Sequence, residues 1–177
     1  MHRLFVAIRP PQPVRTEILH IMGGMSGIRW QSDEQLHVTL RFIGEVGRVV
    51  AEDLAAGFST IRARRFKARV VGLATFERRG KPAVLIAGVQ PLDQLKALHR
   101  KLDQTCVRAG LTPEHRAYRP HLTLGRIGVN AGNLQPYFEA HGDFATTEFS
   151  VDHFDLIESD LTPKGAIYSL VQRYPLL

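Results

Sequence analysis

The tetrapeptide His-x-Thr-Leu occurs twice, as His37-Val38-Thr39-Leu40 and His121-Leu122-Thr123-Leu124, once in each half of a 177-residue chain. Each copy lies in a run of strand-forming residues. Successive side chains of a strand point to opposite faces. His37, Thr39 and Arg41 therefore share one face, and Val38, Leu40 and Phe42 the other, expected to be core. In the second copy His121, Thr123 and Gly125 oppose Leu122 and Leu124. A bare surface strand needs no apolar back. A fully buried strand does not tolerate an unpartnered His and Thr. A cleft between two sheets meets both conditions.

The rest of the pattern supplies those sheets. Residues 4–8 read as a strand stopped by Pro10, Pro11 and Pro13. Val14, Ile18, Ile21 and Met22 follow at helical spacing, and residues 28–30 are extended. The first motif strand spans 36–43. Val50, Leu54 and Phe58 mark a second helix. Residues 66–76 and 83–89 form a hairpin around 78–82. A helix runs over 92–109 with Leu95, Leu98, Leu102 and Cys106 as its stripe and Gly110 closing it. The second motif strand covers 117–127, and a short helix lies near 133–139. A strand over 148–158 places Phe149, Val151, His153, Asp155 and Ile157 on one face; a turn at 162–165 leads to a last strand over 166–174. Tight hairpins between strands predict an α+β fold with antiparallel sheets. The motif surroundings, His37 to Val46 and His121 to Val129, echo one another and predict two pseudo-two-fold lobes.

With 44% hydrophobic residues, one domain over 1–177 with a real core is expected. The net charge of +6 favours polyanionic partners. Basic residues gather at Arg62, Arg64, Arg65, Lys67 and Arg69, at Arg78, Arg79 and Lys81, and at Arg116 and Arg119; a solvated face explains each equally well. Cys106 is the sole cysteine, so neither an intrachain disulfide nor a cysteine-based zinc site can form. The short apolar run at the N-terminus and the lack of a bilayer-length stretch predict a soluble, cytoplasmic protein with no membrane association. A monomer is also expected, with no sequence feature that fixes it.

Two imidazoles across a cleft suit concerted acid–base catalysis. An ordinary histidine pKa of about 6.5 allows one neutral and one charged ring near neutral pH. One ring takes a proton from a nucleophile while the other gives one to a leaving oxygen. The threonine hydroxyls, Thr39 and Thr123, can donate to an anionic oxygen held between the rings. Such a site suits in-line displacement at a phosphodiester, with no metal and no cofactor expected. Arg126 lies on the wrong face of a regular strand and joins the site only if the strand bulges or ends near Gly125. The remaining histidines show no metal-site spacing. His20 and His99 are expected on helix surfaces, and His153 as a hydrogen-bonded core residue. Trp30 and Phe42 are expected in the core, while Tyr118, Arg116 and Arg41 are candidates for the cleft.

Leu36 to Val46, Arg119 to Arg126 and the opening Arg3-Leu4-Phe5-Val6-Ala7-Ile8 together resemble the 2H phosphoesterase superfamily, named for its paired His-x-Thr/Ser motifs. The resemblance is closest to its RNA 2′,3′-cyclic phosphodiesterase branch, also called LigT-like or 2′-5′ RNA ligase. It implies a bilobal α+β module with two antiparallel sheets facing a central cleft and helices outside. It implies hydrolysis of a terminal 2′,3′-cyclic phosphate on RNA, or of cyclic nucleotides, to a 2′-phosphate and a 3′-hydroxyl. By the same resemblance His37 is the proton donor to O3′ and His121 the proton acceptor from water. Thr39 and Thr123 hold the phosphate, and Arg126 touches phosphate or base. Val6 stands where some relatives carry an aromatic residue. A reversible 2′-5′ RNA ligase and an RNA-end binding protein without turnover are the alternatives.

Overall fold

The computed structural model describes residues 1–177. Strand β1 (His2–Ile8) ends at the prolines, and α1 (Gln12–Leu19) buries Val14 and Ile18. Strand β2 (Ile28–Trp30) and a 3₁₀ turn (Asp33–Gln35) lead into β3 (Val38–Val46), the first motif strand. Helix α2 (Arg48–Phe58) precedes the hairpin of β4 (Phe66–Arg78) and β5 (Lys81–Gln90). At its tip Arg79 and Gly80 both take positive φ, 53° and 75°. Helix α3 (Leu92–Arg108) buries Leu95, Leu98, Leu102 and Cys106, the stripe its sequence predicts. Strand β6 (His121–Ile127) carries the second motif. Helix α4 (Gln135–His141), β7 (Phe149–Val151), β8 (His153–Thr162) and β9 (Gly165–Pro175) complete the chain.

All strand pairs are antiparallel, in the order β7-β4-β5-β6-β3-β1-β8-β9, with β2 on β6. The fold is α+β, as expected. The two expected sheets form two lobes of one curled sheet, joined where Val38 of β3 pairs with Leu122 of β6. One apolar core runs behind both lobes, from Leu4 and Val6 through Val38 and Leu40 to Leu122 and Leu124. A separate small cluster, Phe5, Ala7 and Ile157 with Tyr168, lies apart from that core. No helix is long and apolar enough to cross a membrane.

Two strands differ from their sequence reading. Regular pairing of the second motif strand begins at His121, because Pro113 and Pro120 lack the N–H a ladder needs. The strand expected over 148–158 breaks at Asp152, where Leu176 N–H donates to the Asp152 carbonyl at 2.8 Å. The break shifts the alternation: Phe149, Val151, Phe154 and Leu156 are core, while Asp155 and Ile157 face away from it. His153 is half-buried, outside the core, with Nδ1 2.5 Å from Asp152 Oδ1.

Candidate active site

The junction pair sets the geometry. Val38 and Leu122 are 1% and 0% exposed and point into the core. Their neighbours therefore point the other way. Antiparallel register carries His37 toward Thr123 and Thr39 toward His121, so the two motifs meet on one face. Both histidines are held alike. His37 Nδ1–H donates to the Gln35 carbonyl at 2.7 Å, and His121 Nδ1–H to the Arg119 carbonyl at 2.8 Å. Each bond spans two residues and leaves Nε2 for chemistry. The Thr39 hydroxyl lies 3.0 Å from His37 Nε2.

Aromatic rings enclose both imidazoles. Phe5 and Tyr168 stand 4.9 and 5.2 Å from the His37 ring, and Phe76 meets the His121 ring edge-on at 4.7 Å. Burial is the main cause of the histidines' shifts. The His37 pKa falls to about 4, with the Gln35 carbonyl opposing and His121 and Arg9 adding repulsion. The His121 pKa is also lowered by burial and by the Arg119 charge, with the Arg119 carbonyl opposing. Near pH 7 the lowered values favour two neutral rings rather than one neutral and one charged. An anion placed between them would favour a protonated ring.

Each motif strand bulges directly after its threonine. In β3, Thr39 pairs with Ala7 and Arg41 with Val6, so Leu40 is the extra residue. In β6, Thr123 pairs with Ile86 and Gly125 with Leu85, so Leu124 is the extra residue. A bulge inverts the alternation beyond it. Arg126 thereby joins the face of His121 and Thr123, the condition its spacing imposed. Glycine is required beside it: a Cβ on Gly125 would lie 2.7 Å from the Ile28 side chain of β2.

The same device overturns the expectations for Arg41 and Phe42. Arg41 turns into the core side, is 7% exposed, and pairs with Asp103 at 2.8 Å and Glu114 at 3.6 Å. Phe42, expected in the core, is 45% exposed on the cleft face, with the Arg3 guanidinium 5.1 Å from its ring centre. Phe42 and Arg126 thus occupy equivalent places in the two copies. Val6 is fully buried and faces the core, so the aromatic residue that β1 gives the cleft is Phe5. Trp30 is half-buried against Tyr137.

The first bulge has its own support. Tyr118 O–H donates to the Thr39 carbonyl at 2.9 Å, and His99 Nδ1–H to the Leu40 carbonyl at 2.6 Å. The two rings stack at 4.2 Å, 8° from parallel. His99, expected on a helix surface, is therefore buried behind the site. Tyr118 braces the cleft from the rear, and Arg116 is exposed in a groove that Phe76 also lines. Sequence reasoning missed Phe5, Phe76, His99 and Gln35; only His99 left a trace, as a polar residue one position from the Leu95–Leu98–Leu102 stripe.

Two imidazoles tethered through Nδ1, two threonine hydroxyls and a flanking guanidinium thus share one face at the junction of the lobes. The chain belongs to the 2′-5′ RNA ligase superfamily, whose family model matches residues 10–163. A protein of Archaeoglobus fulgidus named RNA 2′,3′-cyclic phosphodiesterase is 30% identical over 169 residues, covering 94% of this chain and 96% of that one. A Thermotoga maritima protein of the same name is 31% identical over 176 residues, covering 96% and 92%. The crystal structure of E. coli LigT complexed with 3′-AMP superposes with a TM-score of 0.84 at 25% identity, covering 99% of this chain and 98% of that one.

Proposed function

We propose that this protein is an RNA 2′,3′-cyclic phosphodiesterase that opens a terminal cyclic phosphate to a 2′-phosphate and a 3′-hydroxyl. The observation that carries this reading is the meeting, at the Val38–Leu122 junction, of two histidines that are both tethered through Nδ1. The names of full-length relatives support the activity class. In the reaction His121 Nε2 takes a proton from water as the water oxygen attacks phosphorus. His37 Nε2–H delivers a proton to O3′ as the P–O3′ bond breaks. Thr39 and Thr123 donate to the non-bridging oxygens, whose charge grows in the transition state, and Arg126 supplies a fixed positive charge beside them.

The depressed histidine pKa values fit this scheme once substrate is bound. A phosphodiester anion between the rings favours their protonated forms, and the Thr39 hydroxyl can turn from Nε2 to phosphate as His37 gains its proton. The chemistry needs no metal, so activity is expected to survive EDTA. The test is end-group analysis of a 2′,3′-cyclic-phosphate-ended RNA after incubation. A 2′-phosphate product, lost in His37→Ala and His121→Ala, supports the reading. A 3′-phosphate product reverses the leaving oxygen, and unchanged turnover in either variant removes the two-histidine mechanism.

A further inference from the structure

A half-open groove of 1290 Å³ runs beside the cleft, from the tip of the β4–β5 hairpin to the start of α4. It exceeds the roughly 300–1,000 Å³ of small-molecule pockets. Five cationic side chains line it, Arg78, Arg79, Lys81, Arg116 and Arg126, against the single carboxylate of Glu77. None of the five makes an ion pair or a side-chain hydrogen bond within the protein. The basic cluster nearer the other end of β4 contrasts with it: Arg62 and Arg65 donate to backbone carbonyls, and Lys67 to Ser150. Those residues fasten the fold; the hairpin cations are unspent.

The groove does not contain His37 or His121, yet it adjoins His121. Phe76 lines the groove and also touches the His121 ring at 4.7 Å. Arg126 lines it from the strand position just past the second motif. The charge of Arg126 reaches the Tyr168 hydroxyl, and Tyr168 in turn packs on His37. A polymer whose reacting end lies in the cleft would leave along this groove, over Phe76 and between the hairpin and the 128–135 loop.

We infer that the groove is a binding track for the single-stranded RNA chain upstream of the reacting terminus, with Arg78, Arg79, Lys81 and Arg116 holding its phosphates. This rests on the proposed phosphodiesterase activity and extends it to substrate class: oligoribonucleotides over cyclic mononucleotides. A track of exposed cations is sequence-tolerant and salt-sensitive. Val129, fully exposed on the groove wall, and Phe138 add apolar surface for bases.

The test compares two substrates in one enzyme: 2′,3′-cyclic AMP and a single-stranded oligoribonucleotide ending in a 2′,3′-cyclic phosphate. The variant is Arg78→Ala/Arg79→Asn/Lys81→Ala, with asparagine chosen because position 79 has a positive φ of 53°. The kcat/KM for the oligonucleotide should fall by about tenfold or more, and its log–log salt slope should shrink by about 2, roughly 0.7 per lost phosphate contact. The kcat/KM for 2′,3′-cyclic AMP should not move. Arg116→Ala should show the same split, more weakly. Parallel losses on both substrates, or none on either, would overturn the track. Failure of the wild-type enzyme to open either substrate would remove the activity instead. The track is then read from the anisotropy of a labelled oligoribonucleotide ending in a 2′-phosphate: weakened binding in the variant supports it, and unchanged binding overturns it.

Discussion

Val38 and Leu122 form the one paired position between β3 and β6, and each stands immediately between the histidine and the threonine of its motif. Two buried side chains therefore set the distance between two reactive pairs on the opposite face. Under the proposed mechanism, the apolar residue inside each His-x-Thr would shape the site from its core side.

Leu122→Ala should cost about 2–5 kcal/mol in stability, the usual cost of a large-to-small change in a packed core. Because the void opens at the lobe junction, kcat should fall further than the folded fraction does. Urea denaturation alongside activity per folded molecule measures both. A loss explained by unfolding alone would mean that the junction does not position the histidines.

The pH dependence follows from the desolvation of the two half-buried imidazoles. His37 titrates near 4 in the folded chain and near its ordinary 6.5 when unfolded. The unfolded state binds more protons within that window, so stability is complete above 6.5 and is lost as pH falls toward 4. The His121 pKa, also lowered, adds loss of the same sign. NMR titration of the free protein should find the His37 ring near 4, rising when 2′-AMP is added. For turnover, one ring must be protonated, so kcat/KM should decline as pH rises above the depressed pKa of His121. A free His37 titrating near 6.5 would contradict the burial argument.

Tyr118→Phe removes one hydroxyl and leaves the Thr39 carbonyl without its donor beside the first bulge. A buried group left unpaired costs about 1–3 kcal/mol. The expected phenotype is a lower melting temperature with a lower kcat, since Thr39 shifts with its backbone, and with KM nearly unchanged. A normal kcat would show that the brace serves stability alone.

Much of this was legible in the sequence because the motifs are locally encoded. The His-x-Thr alternation, the apolar middle residue and the proline and glycine stops all act through neighbours in the chain. The strand bulges are not encoded that way. Nothing in Leu40-Arg41-Phe42 marks Leu40 as an extra residue; its partner β1 decides that, by pairing Val6 with Arg41. The second bulge was readable because Gly125 signalled it. The break at Asp152 likewise depends on β7 joining β4 while β8 joins β1, a choice between partners distant in sequence. His99 resembled a surface histidine because its acceptor, the Leu40 carbonyl, lies 59 positions away.

Gly125→Ala tests the second bulge. The added methyl would meet Ile28 at 2.7 Å and the Arg29 carbonyl at 3.0 Å, so β2 or β6 must shift. Overpacking of this kind costs about 1–3 kcal/mol. Arg126, the next residue, loses its placement, so KM should rise more than kcat falls. Arg126→Ala in the native backbone should reproduce the kinetic change without the stability change, and a mismatch between the two would separate Gly125 from Arg126.

Arg41 and Phe42 give the sharpest contrast, because alternation alone assigns each the other's role. If Arg41 served phosphate, Arg41→Met would raise KM and spare stability. Its burial and its bonds to Asp103 Oδ1 and the Thr112 carbonyl argue the reverse. Removing one member of a buried ion pair costs about 3–5 kcal/mol, since the other charge stays desolvated. Asp103 remains partly solvated and retains the Glu114 N–H at 3.1 Å, which places the expected loss near the low end of that range. Arg41→Met should therefore lower the urea midpoint strongly, with KM unchanged for the molecules still folded. Phe42→Ala, at 45% exposure, should barely move the midpoint and should change KM instead, because it removes a ring from the cleft face. A stable Arg41→Met protein with weakened substrate binding would restore the regular strand and remove the first bulge.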